Sequence, residues 1–69
     1  MELWNVERIV RDVVAAYGWD VSRLSVTPLA HAWCVTLMDT AGQTLSIDVP
    51  DGPPARVRAV LGEWLVEQP

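Results

Sequence analysis

This chain of 69 residues contains no lysine, and its nine acidic side chains outnumber five basic ones, all arginine, for a formal net charge of -4. Nucleic acid and anionic membrane are held by lysine and arginine neutralising phosphates, so neither is an expected partner. A single cysteine, Cys34, rules out an internal disulfide, and the one histidine, His31, leaves too few ligands for a structural zinc site. No apolar run approaches the roughly 18 residues of a membrane span. The N-terminal residues are charged and lack an apolar leader core, so a soluble, cytoplasmic protein is expected. Repeats and low-complexity tracts are absent, and no motif calls for a cofactor or a metal.

These absences leave a small body without the usual staples. One domain is expected over residues 1–69, and a single core of that size leaves little margin over chain entropy. Hydrophobic residues nevertheless make up 51% of the chain, more than the high surface-to-volume ratio of so small a body should tolerate, and self-association is the remaining way to cover them. Arginine without lysine, beside abundant Val, Ala, Leu and Pro, points to a GC-rich genome. One Asn and few Gln and Cys match a heat-adapted source.

The stretch around which the rest is organised runs from Trp33 to Val49. Two alternating runs, Trp33–Met38 and Thr44–Val49, flank Asp39-Thr40-Ala41-Gly42-Gln43, which predicts a β-hairpin. If Thr40 and Ala41 centre a type I turn and Gly42 takes the left-handed position, Gln43 faces Asp39. Leu37 then pairs with Leu45, Val35 with Ile47 and Trp33 with Val49, making one face apolar. Met38 and Thr44, Thr36 and Ser46, and Cys34 and Asp48 share the other, and a one-residue slip would mix the two sets.

Around this hairpin, Leu3, Val6, Val10, Val13 and Tyr17 predict an amphipathic helix over residues 2–17, with Glu7 and Arg11 as an i,i+4 pair. Gly18 is placed to end it, and Trp19 to fold back onto Val14 as the apolar contact of a Schellman cap. Residues 20–22 read as a connector. Arg23 to Pro28 alternates as a strand that Pro28 confines to an edge, and Leu29-Ala30-His31 turns into the hairpin. After the breaker Pro50-Asp51-Gly52-Pro53-Pro54, a second helix runs from Pro54 to about Val66 or Glu67. The expected fold is α+β in two layers, α-β-β-β-α. A three-stranded antiparallel meander has both helices on the face made by Leu24, Val26, Trp33, Val35, Leu37, Leu45, Ile47 and Val49.

The second helix has two distinct sides. Val57, Val60, Leu61 and Trp64, with Leu65 at the margin, form its stripe for the sheet. At about 100° per residue, Ala55, Ala59, Gly62 and Val66 gather on nearly the opposite side. A glycine inside a helix costs about 1 kcal/mol relative to alanine, a cost that makes sense where another backbone comes close. With the first helix expected to cover only a flank, this small face is the candidate interface of a homo-oligomer, a dimer by preference. Trp4, which projects with Arg8 and Arg11 away from its helix's stripe, is the candidate anchor beside it. The open sheet face, with Cys34, Thr36, Met38, Thr44 and Ser46, is a second candidate surface. A hetero-partner leaves no mark in the residues.

Two readings of other classes compete with a non-enzymatic interaction module. His31, Cys34 and Asp48 would form a minimal ligand or catalytic site if the His31 turn folded over the sheet. The order helix, three strands, helix is also similar to that of double-stranded RNA-binding domains, over nearly the whole chain. Those domains carry a lysine cluster at the start of the second helix, where this chain reads Pro53-Pro54-Ala55-Arg56-Val57-Arg58. The resemblance thus implies a topology and transfers no functional residue. A nucleic-acid role would rest on Arg8, Arg11, Arg23, Arg56 and Arg58 alone.

Overall fold

The computed structural model describes residues 2–67. Its elements run α1 (Leu3–Ala16), β1 (Val21–Pro28), β2 (Ala32–Asp39), β3 (Thr44–Pro50) and α2 (Pro54–Glu67). The strands form one antiparallel sheet in the order β1-β2-β3, and both helices lie on one face of it, α1 against β1 and α2 against β3. Because β1 and β3 each pair antiparallel to β2, they run in the same direction. Each helix doubles back along its neighbouring strand, so α1 and α2 run side by side in parallel.

The β2-β3 register is the expected one. Trp33 pairs with Val49, Val35 with Ile47 and Leu37 with Leu45, while Cys34 meets Asp48, Thr36 meets Ser46 and Met38 meets Thr44. Gly42 sits at φ +88°, the left-handed region that the turn requires and that glycine enters without a steric cost. The Asp39 carboxylate accepts the Ala41 and Gln43 N–H groups at 2.9 and 2.8 Å, an Asx turn that closes the loop from inside. On the open face, the Thr36 and Ser46 hydroxyls hydrogen-bond across the strands at 3.0 Å.

The cap of α1 also matches expectation. Gly18 has φ +72°, its N–H reaches the Ala15 carbonyl, and the Trp19 N–H reaches the Val14 carbonyl, each at 3.1 Å, which are the two bonds of a Schellman motif. Trp19 packs half-buried against the core. Beyond it the chain departs from the expected connector, since β1 begins at Val21. A bulge at Ser22 separates the pairs Val21–Asp39 and Arg23–Met38. The Ser22 hydroxyl lies 3.1 and 3.0 Å from the Met38 and Asp39 carbonyls, close enough to tie the extra residue to β2.

The core joins Val6, Ile9, Val10, Val13 and Val14 of α1 and Val57, Leu61 and Leu65 of α2 to Val26, Trp33, Val35, Leu37 and Val49 of the sheet. Helix ends explain the differences from the expected stripes. Leu3 opens α1 and Tyr17 caps it, so both stand at the helix ends and are exposed, at 38% and 48%. In α2, Leu65 is central while Val60 and Trp64 are half-buried, because that helix buries one flank against α1 and another against the sheet.

Trp33 also holds the entry to α2. Its indole N–H donates to an Asp51 carboxylate oxygen at 3.1 Å, and the Gly52 N–H donates to the same oxygen at 2.9 Å. The indole bond, the largest cause, and the Gly52 bond both favour the ionised carboxylate, and against the opposing desolvation Asp51 lies below its ordinary 3.8. A lowered pKa stabilises the fold above the unfolded value, and that contribution is lost as pH falls through the folded one. On acidification below pH 3.8, the wild-type melting temperature is therefore expected to fall more steeply than that of Asp51→Asn. Parallel melting curves of the two proteins across that window would remove the carboxylate from this role.

Candidate functional site

The outer side of α2 is the face on which small residues were expected. Ala55, Ala59 and Val66 are exposed there, Val66 at 67%, but Gly62 is buried. A Cβ on Gly62 would stand 2.8 Å from the Tyr17 hydroxyl oxygen and 3.5 Å from the ring carbon that bears it. The close approach that the glycine accommodates is thus made within the chain. This corrects the expectation that α1 covers only a flank of α2. Tyr17 follows the last turn of α1, outside its inward stripe, and its ring leans sideways onto the neighbouring helix.

The result is a shallow groove in place of a flat stripe. Tyr17, Ala59, Gly62 and Val66 give it apolar walls, and Arg58, Glu63 and Glu67 rim it. Arg58 also reaches Asp12 of α1 at 3.4 Å, with both side chains about half exposed. A pair in that setting contributes about 0–1 kcal/mol. It leaves the guanidinium able to take a second partner.

Trp4 is 61% exposed but belongs to another region. Asp12 stands abreast of Arg58, and Tyr17 abreast of Gly62. Trp4 precedes Asp12 by eight residues and Val66 follows Arg58 by eight. At 1.5 Å per residue the two lie roughly 24 Å apart along the helix direction. Of the expected interface, Ala59, Gly62 and Val66 come together with Tyr17, whereas Ala55 does not line the groove and Trp4 sits at the opposite end of the layer.

Of the polar trio, Cys34 and Asp48 lie on the sheet's other face. Cys34, half-buried, faces Asp48 across the β2-β3 ladder. His31 lies in the exposed turn before β2, where its carbonyl accepts the Asp51 N–H at 3.1 Å. No hydrogen bond joins the side chains of His31, Cys34 and Asp48, and among the described residues no group of three or more His, Cys, Asp or Glu is placed to hold a metal ion. Nor is any helix among them long and apolar enough to cross a membrane.

One concave feature lay outside the sequence reading. Between the last turns of α1 and the start of β1 there is a cleft of about 300 Å³, walled by Val14, Trp19, Val21 and Leu24, with Arg11 and Arg23 at its mouth. The only signal for it was Trp19, whose cap role accounts for one side of its ring.

No protein-family model, no curated protein and no solved structure matches the chain. The order of elements shared with double-stranded RNA-binding domains therefore brings no residue role with it.

Proposed function

We propose that this chain is a soluble, non-enzymatic, cytoplasmic interaction module that pairs with a second copy of itself through the outer face of α2. The carrying observation is the exposed Val66 beside Ala59 in a groove whose rim has a base at one end and an acid at the other. In an antiparallel pair of α2 helices crossing between Gly62 and Glu63, Ala59 faces Val66 of the second copy, a small residue opposite a large one. Two-fold symmetry repeats the contact, as a self-complementary interface requires.

Size supports a reversible dimer. A standard interface takes about 800 Å² from each partner, nearly a fifth of the 4426 Å² that this chain exposes. One helix pair supplies less than that, which places the assembly among weak, concentration-dependent contacts. Such pairing still favours the folded state of a small domain by mass action. The net charge of -4 and the absence of lysine weigh against nucleic acid as the alternative partner.

The test is sedimentation equilibrium over a wide range of concentration for the wild type and Ala59→Glu, a change at an exposed position. The wild type should dimerise reversibly, and the variant, which sets a carboxylate against Val66 of the second copy at two symmetric places, should associate at least about tenfold more weakly. A monomeric wild type at every concentration, or a variant that associates as well as the wild type, would refute the reading.

A further inference from the structure

We propose that the cleft between α1 and β1 is a binding site for a small aromatic anion, a planar ring bearing a carboxylate or a phosphate. Three observations converge on it. Its volume of about 300 Å³ stands at the lower end of ligand pockets, which run from about 300 to 1,000 Å³. It is built from rigid parts: Trp19 is fixed by the Schellman bonds of Gly18 and its own N–H, and the opposite wall is pinned where the Ser22 hydroxyl meets two β2 carbonyls. Val14, Val21, Leu24 and the Trp19 ring then offer an aromatic guest apolar contact on more than one side.

The third observation is charge. Arg11 and Arg23 both line the cleft and no carboxylate does. Among the described residues the one ion pair joins Arg58 to Asp12, so both guanidinium groups lack an acidic partner. For Arg11 this is informative, because Glu7 lies one turn earlier in the favourable order and forms no ion pair with it. On a chain of net charge -4, two unpaired arginines over an apolar wall make a local positive site. A guanidinium binds carboxylate or phosphate through paired N–H donors, while the ring of the same ligand occupies the Trp19 wall. Neither a bare anion nor a neutral ring would use both halves.

The cleft lies on the β1 side of α1 and the groove on the α2 side, so the site stands or falls independently of self-association. The experiment is a titration of the full chain with phenyl phosphate and with benzoate, followed by backbone amide and indole N–H chemical shifts. Inorganic phosphate and phenol serve as the half-ligands. At least one aromatic anion should give saturable shifts confined to residues 11, 14–15 and 19–24 and the Trp19 indole, with a Kd on the order of 1 mM or tighter. Arg11→Gln and Arg23→Gln, both at exposed positions, should each weaken binding about tenfold while leaving the rest of the spectrum in place. Inorganic phosphate and phenol should each bind at least about tenfold more weakly. Shifts that stay linear with concentration, that gather equally at Arg8 and Arg56, or that persist unchanged in both arginine variants would overturn the proposal.

Discussion

Leu61→Ala is expected to destabilise the protein by about 2–5 kcal/mol and to leave a substantial fraction unfolded without denaturant. Leu61 is 1% exposed and sits in α2 one turn after Val57 and one before Leu65, in the cluster that joins both helices to Val35, Leu37 and Val49. Truncation removes buried carbons and leaves a void that two helices and a sheet cannot all close around at once. A domain of 69 residues has a total stability of roughly 3–10 kcal/mol at the usual per-residue scale, so this one change removes a large part of it. Leu61→Met keeps the volume and should cost less than about 1.5 kcal/mol. Urea unfolding of the three proteins at one concentration checks the ordering. A loss below about 1 kcal/mol for the alanine variant would mean that α2 is not packed as described.

The hairpin was legible in the sequence because two independent signals agree there. Alternation in Trp33–Met38 and Thr44–Val49 allows only registers that keep the apolar faces together, and Asp39 with Gly42 selects one of them. The Gly18 cap and the Pro54 start of α2 are equally local, each depending on residues within one turn. Signals failed where a neighbour distant in sequence decides. The bulge at Ser22 breaks the alternation that identifies a strand, so Val21 read as connector. Ile9 and Val14 are buried because the α1 stripe is wider than its strict period, and Leu45, assigned to the core face, is only half-buried near the hairpin turn.

The candidate site was legible in composition but not in geometry. Ala59, Gly62 and Val66 fall on one side of α2 by helical spacing alone, yet nothing in the spacing says that Tyr17 leans over Gly62. That contact changes which substitution tests the interface. Gly62→Glu would displace the tyrosine ring and disturb the packing of α1 on α2, confusing folding with association. The partnership of Trp33 with Asp51 was hidden in the same way: the indole N–H needs an acceptor when buried, but which acidic residue supplies it depends on how the Pro50–Pro53 turn folds back.

Val66→Glu is the substitution that separates association from folding. Val66 is 67% exposed, and exposed changes of this kind stay within about ±0.5 kcal/mol of the parent, so the isolated domain should fold as before. In the proposed dimer the same side chain is covered by Ala59 of the second copy. Symmetry doubles the loss, and burying a valine fully is worth about 1.5–3 kcal/mol, of which each site forfeits only the part still exposed. The new carboxylates add repulsion, since Glu63 and Glu67 already border the groove. Together these raise the dimer dissociation constant about a hundredfold or more, at 1.4 kcal/mol per factor of ten. The wild type should melt at a temperature that climbs with protein concentration, and Val66→Glu at one that does not. The two proteins should converge at high dilution, where both are monomers. If they differ there, Val66 acts within the fold. If neither melting temperature depends on concentration, the exposed face of α2 does not pair with itself.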